Sequence, residues 1–571
     1  MKRLEELGKV VTADVLVVGG GMAGVPAALK ARQKNVDVLL VDKAYVGFGG
    51  QSPRGGNGMA ALTKDANIDA YVEHMTRNVG RYLNDQKSLK NYAEHIYPTI
   101  EQLHKWGVEL TTDEKGNLAF FPMPVGLWSQ IGINLYATEK MRKTAVKEGV
   151  RIQNNVNITA LINTGGRVVG AVGFDIVDGT FYIFRAKTVI LACGACNFRA
   201  TRMFTNSGEG NALAFNVGAQ MRSAEFLFME VAAAATGETI HGGQPFVYNQ
   251  AGENIWKKYV HWDAQDVCVE LILGMVKEYE AGRGPLYMDL TKMDEAFKVI
   301  GADPNDPFIG GLRRLFPDKI SWVKRIAARE HEAFGGLGDK IPAKFALHGN
   351  SGFVRVDTNM KTTVDGLYTV GLDTGNGSAI FGSAPQPADQ RGGPFMYCTN
   401  TGCIGGTSAA EDAKTVGSLA EIPADLVAGL KAEAFAGLNK ADGIDPREIF
   451  GRMQNAVIPV DVIIKRSEKS LNKAIGLLDE IKADLPKMGA KDYHDLKLCR
   501  EAETMALSSE IVLKSALERK ESRNFHFRED YPEPDNKNWL KWVLADKVNG
   551  KVVISTEDVP FKDYPIQPAD I

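Results

Sequence analysis

The earliest residues whose types and spacing point to chemistry are three glycines and an acid. Gly19, Gly21 and Gly24 occur in the pattern GxGxxG. Between a strand and a helix, this spacing gives a tight turn, lets a pyrophosphate approach the helix N-terminus and permits close packing of the helix on the strand. Asp42 follows eighteen residues after Gly24, where a carboxylate can accept hydrogen bonds from both hydroxyls of a ribose. The pattern predicts a dinucleotide site.

A glycine-rich stretch follows directly. Residues 43–58, KAYVGFGGQSPRGGNG, contain six glycines. FAD and NAD can both use a GxGxxG turn, but the flat faces of a buried isoalloxazine need backbone in van der Waals contact, which glycine permits. We therefore predict that residues 47–58 lie along a flavin; a flexible surface loop is the alternative. The candidate cofactor-binding residues in this stretch are Lys43, Gly49, Gly50, Ser52 and Gly56.

A second segment far downstream repeats the order strand, glycine, acid. In GLYTVGLDTGNG, residues 366–377, Asp373 ends an apolar strand and is a further candidate for contact with the cofactor. Two separated segments that both face a nucleotide imply that another domain is inserted between them.

Particular elements must position these residues. The N-terminal segment reads as a strand over residues 14–18, the glycine turn, a helix, and a second strand that ends at Val41. Between residues 418 and 522, apolar residues recur at intervals of three and four, with Ala, Leu, Glu and Lys prominent. This pattern predicts packed helices, and we assign no chemistry to their apolar face.

Composition excludes several classes of protein. The net charge of -3 over 571 residues argues against a general nucleic-acid binder. We find no apolar run long enough to span a membrane and none before the first strand, so we expect a cytoplasmic protein. Six cysteines in so long a chain do not form a disulfide scaffold. We interpret Cys193 and Cys196 as small buried residues after a strand, and we expect no metal site.

Several longer segments carry a family resemblance. They are LLVDKA, GAVGFDIVDGTFYIFRAKTVILACGACN, SGEGNALAFNVGAQM, EAGRGPLYMDL, TTVDGLYTVGLD and ALERKESRNFHFREDYPEPDNKNWLKWV. With them the chain resembles, nearly end to end, the flavoprotein subunits of fumarate reductase and succinate dehydrogenase. Within that superfamily it is most similar to the alpha subunit of dissimilatory adenylylsulfate reductase. The resemblance adds Glu209, in SGEGNALAF, to the candidate cofactor-binding residues.

The resemblance implies an α/β fold: a Rossmann-like FAD-binding domain, an inserted α+β capping domain and a C-terminal helical domain. The FAD-binding domain would comprise residues 1–222 and 346–415, with the capping domain at 223–345 between them. A helical domain at 416–535 would precede an irregular C-terminal tail at 536–571. FAD would lie between the Rossmann-like domain and the capping domain.

Two departures from the family pattern bear on chemistry. Many fumarate reductases bond FAD to a histidine in the glycine loop, but this loop has none and Gly49 or a neighbour takes its place, so we expect non-covalent FAD. The family also supplies a proton-donating arginine from the capping domain. No arginine occurs between Arg222 and Arg283; the corresponding stretch offers Gln265, Asp266 and Glu270. Neither fumarate nor adenylylsulfate can therefore be assigned as the substrate from the family resemblance.

Several side chains remain as candidates for catalysis. His348, in FALHGNSGF, matches the family histidine that hydrogen-bonds substrate, and a structural histidine is the alternative. Arg391, in ADQRGGPF, resembles the arginine that holds a substrate anion, and a surface ion pair is the alternative. His261 is a candidate proton donor, as are His241 and Tyr259. Arg54 could face an anion or lie on the surface.

The capping region is rich in aromatic and polar rings. They are Tyr248, Trp256, Tyr259, His261 and Trp262. Packing inside the domain is the simpler interpretation; if they line the site instead, they favour a ring-bearing or extended substrate over a four-carbon diacid.

These observations predict an FAD oxidoreductase subunit that acts on a small anionic substrate, either adenylylsulfate-like or an enoate or dicarboxylate. The cysteines cannot hold an iron-sulfur cluster, which normally takes four thiolates. We therefore expect a separate iron-sulfur, ferredoxin-like protein as partner in a hetero-oligomer. The alternative is an electron-relay subunit with no small-molecule substrate of its own. An NAD-linked dehydrogenase is disfavoured because only one nucleotide fingerprint is visible and FAD would occupy it.

Overall fold

A computed structural model provides the structure of the protein. It describes residues 3–53, 58–123, 126–134, 136–200, 205–234, 246–260, 267–289, 340–347, 352–384, 393–440 and 442–569.

Strands are numbered in chain order within the described residues. They are β1 Lys9–Val18, β2 Val38–Val41, β3 Gly58–Ala61, β4 Phe120–Pro122, β5 Ser129–Gly132, β6 Arg151–Gln153, β7 Val156–Thr164, β8 Arg167–Asp175, β9 Phe181–Leu191, β10 Met221–Arg222, β11 Met229–Ala233, β12 Val247–Tyr248, β13 Leu286–Asp289, β14 Lys340–Leu347, β15 Leu367–Thr369, β16 Lys465–Arg466, β17 Phe527–Arg528, β18 Lys541–Val548 and β19 Lys551–Asp558.

The α-helices are numbered in the same way. They are α1 Leu4–Leu7, α2 Gly24–Arg32, α3 Ile68–His74, α4 Gln86–Glu94, α5 Ile96–Lys105, α6 Ala137–Lys147, α7 Glu209–Asn216, α8 Ile255–Tyr259, α9 Val267–Glu280, α10 Gly393–Thr415, α11 Ala424–Ala434, α12 Pro446–Val457, α13 Val460–Ile463, α14 Glu468–Asp484, α15 Tyr493–Glu518 and α16 Asn536–Trp539.

The principal sheet has seven strands in the order β6-β2-β1-β9-β8-β7, with β15 beside β9. Its centre is parallel: β1 pairs with both β2 and β9, and β15 also pairs parallel with β9. Strands β7 and β8 add antiparallel pairs at one side. The apolar run Val15–Val18 is buried on both faces, as a central parallel strand requires. The carboxyl ends of β1, β2 and β9 therefore meet at one edge.

Helix α2 packs against α10 with little space to spare, and both helices contact the principal sheet. A Cβ at Gly402 would lie 2.3 Å from the Ala23 carbonyl oxygen, and one at Gly406 would lie 2.2 Å from that of Ala27. The glycines of α10 thus let its backbone touch that of α2, which fixes the position of the glycine turn at the start of α2.

A second sheet belongs to the region predicted as the capping domain. It is antiparallel in the order β11-β14-β13-β12, and it packs with α8 and α9. Strand β14 extends to Leu347, so the sheet continues two residues past the predicted domain boundary at 345. The boundaries themselves stay predictions.

Helices α11 to α15 follow α10, and α12, α14 and α15 pack against one another. Their buried residues include Phe450, Met453, Leu471, Leu478 and Met505. The predicted helical packing face is therefore present. None of the helices in the described ranges is long and apolar enough to cross a membrane.

The expectation of an irregular C-terminal tail was wrong. Strands β18 and β19 form a regular antiparallel hairpin, and β10 pairs with β18. Asn549 and Gly550 turn the hairpin at φ 50° and 77°. An Asn-Gly pair between two runs of strand-forming residues is a strong signal for such a hairpin, and this signal in KVNGKVV was overlooked.

Candidate functional site

A cavity of about 320 Å³ opens at the carboxyl ends of β1, β2 and β9. Ligands of open α/β sheets bind at this edge. The lining includes eight of the predicted cofactor-binding residues: Gly19, Gly21, Asp42, Lys43, Gly49, Gly50, Ser52 and Glu209.

The glycine turn has the shape that the GxGxxG spacing predicts. Gly19 has a φ of +105°, and a Cβ there would lie 2.2 Å from the Ala192 carbonyl oxygen. A Cβ at Gly24 would lie 1.8 Å from the Gly19 carbonyl oxygen. At Gly21 the nearest atom would be Ser52 Oγ, at 3.1 Å. Gly19 and Gly24 therefore build the turn, while Gly21 keeps its cavity side clear.

Asp42 joins the turn to the segment that follows β2. Its carboxylate accepts hydrogen bonds from the Gly20 N–H at 2.5 Å and from the Ala44 N–H at 2.6 Å. Burial raises the pKa of Asp42, although both of these N–H groups oppose the rise. Each carboxylate oxygen has a second lone pair, so the ribose contact predicted for Asp42 is compatible with this geometry.

The described part of the glycine loop lies against the turn. The Gly47 N–H donates to the Gly20 carbonyl at 2.9 Å, and the Met22 N–H donates to Ser52 Oγ at 3.0 Å. A Cβ at Gly50 would have no atom within 4 Å, and Gly50 lines the cavity. The loop up to residue 53 thus forms one wall of the cavity, which favours the cofactor interpretation over a free surface loop.

A cluster of charged side chains forms another wall. Lys43 contacts Glu209 and donates to Glu501 Oε1 at 2.7 Å. Arg199 donates to Glu501 Oε2 at 2.6 Å, and Lys497 Nζ lies 3.3 Å from Glu501. Glu209 is the first residue of α7, whereas Lys497 and Glu501 lie one turn apart in α15. The helical region therefore contributes side chains to the cavity.

Asp373 lies behind the wall rather than in the lining. Its carboxylate accepts from the N–H groups of Cys193 at 2.5 Å and Gly194 at 3.2 Å, just after β9. Burial raises the pKa of Asp373. Cys193 and Gly194 do line the cavity. Asp373 therefore holds in place the backbone of two residues that line the cavity.

The two cysteines of the CxxC pair are free thiols. Cys196 is buried, as predicted, whereas Cys193 is half-buried and lines the cavity. Among the described residues, no group of three or more His, Cys, Asp or Glu side chains could hold a metal ion.

The donor set fits FAD. The glycine turn presents backbone N–H groups to a pyrophosphate at the start of α2. Glu209 Oε2 is a buried oxygen with no hydrogen-bond partner among the described residues, so it can accept from a cofactor hydroxyl. Val156, Ile158 and Leu372 supply apolar lining for flat rings. Asp42 and Glu209 would take hydroxyl groups, and Gly49 and Gly50 would approach a ring.

Three capping-domain aromatics lie in the described residues, and each contacts other protein side chains. Tyr259 donates to Glu278 at 2.6 Å. Tyr248 stacks on Tyr287 with ring centres 5.8 Å apart, and Trp256 packs against the core. This supports the packing interpretation for the three.

Several predicted site residues lie outside the described residues. They are Gly56, His261, His348 and Arg391, together with Arg54, His241, Trp262, Gln265 and Asp266. Their roles stay predictions.

Sequence reasoning missed Arg199, Lys497 and Glu501. Lys497 and Glu501 are spaced i, i+4 in a helix otherwise read as a packing element, and such a pair is usually solvent-exposed. Only the fold brings them to Lys43, more than 450 positions away in the chain. For Arg199, the available signal was its position a few residues after the apolar run that ends at Leu191.

Comparison with known proteins supports the interpretation of this cavity as an FAD site. The family described as FAD binding domain matches residues 14–382, and the family described as fumarate reductase flavoprotein C-term matches residues 452–570. One subunit of the fumarate reductase (CoM/CoB) of Methanothermobacter marburgensis is 25% identical, covering 94% of this chain and 97% of its own length.

Two solved structures show the same fold. FrdA of Escherichia coli quinol fumarate reductase, in a variant form, has a TM-score of 0.83 at 20% identity, covering 98% of this chain and 99% of its own. Adenylylsulfate reductase from Archaeoglobus fulgidus has a TM-score of 0.77 at 23% identity, covering 98% and 97%. The predicted superfamily, fold class and FAD cofactor are confirmed. The chain belongs to the FAD-binding flavoproteins of the fumarate reductase and succinate dehydrogenase superfamily and is an FAD-dependent oxidoreductase.

Proposed function

We propose that this protein is the flavoprotein subunit of an oxidoreductase that passes electrons between non-covalently bound FAD and a small anionic substrate. The substrate class is an adenylylsulfate-like compound or an enoate or dicarboxylate. The observation that carries the proposal is the cavity at the ends of β1, β2 and β9, because its glycine turn, carboxylates and apolar lining suit FAD. When bound, FAD supplies exchange of a hydride or an electron pair at its ring.

Non-covalent binding is supported by the glycine loop. Residues 43–58 contain no histidine that could bond to the cofactor. In the described loop, backbone and Ser52 Oγ make the contacts to the start of α2. We expect acid precipitation of the holoprotein to release all of its flavin into the supernatant. Flavin that stays with the pellet would contradict this part of the proposal.

The substrate contacts are proposed from the resemblance. Arg391 would bind an anionic group of the substrate through its guanidinium fork, and His348 would hydrogen-bond the substrate. His261 would hold the proton for transfer. The absence of arginine between Arg222 and Arg283 leaves adenylylsulfate-like and enoate substrates both open. The Methanothermobacter relative, which is named for fumarate reduction, supports a dicarboxylate as the substrate.

The second electron terminus would be an iron-sulfur, ferredoxin-like protein in a hetero-oligomer. The six cysteines of this chain include one CxxC pair, and Cys398 and Cys403 lie five positions apart, but no four cysteines are grouped in the sequence, and a cluster normally takes four thiolates. The Methanothermobacter relative is itself one subunit of a larger enzyme. The cytoplasmic location expected from the sequence stays a prediction.

Binding of a small anion can be tested on the oxidised holoprotein. Fumarate, an enoate panel and adenylylsulfate are titrated separately, and the flavin absorption band is followed for a saturable shift. We expect at least one anion to perturb the band, and Arg391→Gln to weaken its binding at least about tenfold, because a charge-assisted contact is lost. Arg447→Gln, which removes an arginine paired with Asp445 and Asp495 in the helical region, should not change the affinity.

The second candidate function is an electron relay between protein partners. The stretch without arginine before Arg283 favours it, because the family's proton donor is missing there. A relay predicts that no anion perturbs the flavin in this titration and that Arg391→Gln has no effect, and that result would overturn the substrate proposal.

A further inference from the structure

One carboxylate of the helical region lines the cofactor cavity and contacts three basic side chains. Glu501 of α15 has a side chain that is 2% exposed. Lys43 Nζ lies 2.7 Å from it, Arg199 Nη1 2.6 Å and Lys497 Nζ 3.3 Å. Lys43 follows β2 and Arg199 follows β9, so three separate segments of the chain meet here. All four side chains line the cavity.

The turn that carries Arg199 is held from the helical region. Phe198 and Arg199 are consecutive non-glycine residues with φ of 52° and 51°. Both of their carbonyl oxygens accept from Gln454 Nε2 at 3.0 Å, and the Arg199 guanidinium lies 4.7 Å above the centre of the Phe450 ring. Left-handed backbone at two successive residues is costly and persists where surrounding contacts fix it. Here α12 and Glu501 supply those contacts.

Lys43 links Glu501 to Glu209. The lysine ammonium contacts Glu501 and one oxygen of Glu209. The other oxygen, Glu209 Oε2, is buried without a hydrogen-bond partner in the described part of the chain. A buried acceptor without a partner costs free energy until a donor arrives. The contacts from Glu501 through Lys43 therefore hold Glu209 with one oxygen occupied and one available to a ligand hydroxyl.

We propose that Glu501 is a positioning residue of the FAD site: it holds Lys43 and Arg199, and through Lys43 it orients Glu209 toward the cofactor. FAD binding and the docking of the helical region are then coupled, and each strengthens the other. The inference rests on FAD as the cofactor and on its non-covalent binding, and it does not depend on the identity of the substrate.

The test is FAD affinity in reconstituted apoprotein. Glu501→Gln keeps the shape of the side chain but removes the charge that holds Lys43 and Arg199. We expect the FAD dissociation constant to rise at least about tenfold, the equivalent of one lost charge-assisted hydrogen bond. The matched control is Glu518→Gln, an exposed glutamate at the end of the same helix, which should bind FAD like the wild type. If Glu501 only stabilised the fold, Glu501→Gln would lower the stability of the apoprotein and leave the FAD dissociation constant unchanged. That outcome would overturn the proposal.

A second variant and a second readout keep the test open if Glu501→Gln fails to fold. Gln454→Leu removes the side-chain donor to the Phe198 and Arg199 carbonyls, and it too should weaken FAD binding. In the wild type, FAD should slow amide hydrogen exchange in Tyr493–Glu518, and equal exchange with and without FAD would overturn the coupling. Flavin that survives acid precipitation with the protein would instead refute non-covalent binding, so the two failures are distinguishable.

Discussion

Glu501 is ionised in the folded protein in spite of its burial. Burial alone would raise its pKa, but Lys43, Lys497 and Arg199 outweigh this and lower the pKa to about 2, from an ordinary 4.5. A carboxylate with a depressed pKa contributes stability above its ordinary pKa and loses it as the pH falls. The window for Glu501 therefore lies between about pH 4.5 and pH 2.

This shift gives a prediction for the pH dependence of stability. Between pH 5 and pH 3, the Glu501 carboxylate should account for about 2 kcal/mol of the loss in unfolding free energy. Glu501→Gln cannot titrate, so its stability should fall less steeply over this range than that of the wild type. Thermal melts of both apoproteins at steps of pH measure the difference. Parallel curves would contradict the assignment of this charge to the cluster.

At the scale of elements, the glycine turn before α2 separates two requirements. Gly24 faces the backbone of Gly19, where a Cβ would lie 1.8 Å from the carbonyl oxygen. Gly21 has only Ser52 Oγ near its cavity side, at 3.1 Å. The fold of the turn requires glycine at position 24, whereas cofactor binding requires it at position 21.

Two alanine variants test this separation. Gly24→Ala should destabilise the apoprotein by several kcal/mol, on the order of a severe core substitution, because the backbone contact cannot relax. Gly21→Ala should leave the melting temperature of the apoprotein nearly unchanged and weaken FAD binding at least about tenfold, because its methyl group occupies space at the helix N-terminus. Melting curves with and without FAD give both quantities. An equal effect of the two variants on the apoprotein would refute the distinction.

The capping region depends on one carboxylate that joins several of its elements. Glu278 of α9, with a fully buried side chain, accepts two hydrogen bonds from Arg283 and one from Tyr259 of α8. Asn249 donates to it at 2.7 Å. Arg283 lowers the pKa of Glu278 well below its ordinary value, against the opposing effect of burial.

Glu278→Gln should loosen the capping region. Because part of the Arg283 side chain stays in water, we expect a cost of about 2 kcal/mol, below that of breaking a fully buried pair. Amide exchange in residues 246–260 and 267–289 should quicken while FAD affinity is unchanged. The control is Glu280→Gln, on the same helix but half-exposed and paired with Lys465. If both variants exchange at wild-type rates, Glu278 does not hold these elements together.

At the scale of the whole molecule, the C-terminal hairpin ties the two sequence-distant parts of the FAD-binding region. Arg222 of β10 donates to the Gly377 carbonyl at 2.6 Å and lies 4.6 Å from the centre of the Trp542 ring in β18. Arg355 pairs with Glu557 of β19 at 2.7 Å. The hairpin thus joins the chain just before the capping region to the chain just after it.

Local sequence was sufficient for the elements whose signals are local. GxGxxG, the strand that ends at Val41 and the helical periodicity after residue 418 all predict what the structure contains. The cavity was predicted on the sides formed by Gly19–Gly21, Asp42 and Gly49–Ser52. It was not predicted on the side of Glu501, because that side chain meets Lys43 and Arg199 only through tertiary packing, and its spacing in the helix is that of an ordinary packing element.

Reoxidation of the reduced flavin tests most directly whether the protein exchanges electrons with a small anion. The purified holoprotein is reduced without oxygen, and adenylylsulfate, fumarate or an enoate is added while the oxidised flavin band near roughly 450 nm is followed. We predict that one of these compounds restores the band rapidly and without a protein partner. If none does, and an iron-sulfur protein restores it rapidly, the proposed substrate reaction is contradicted and the electron relay is the better account.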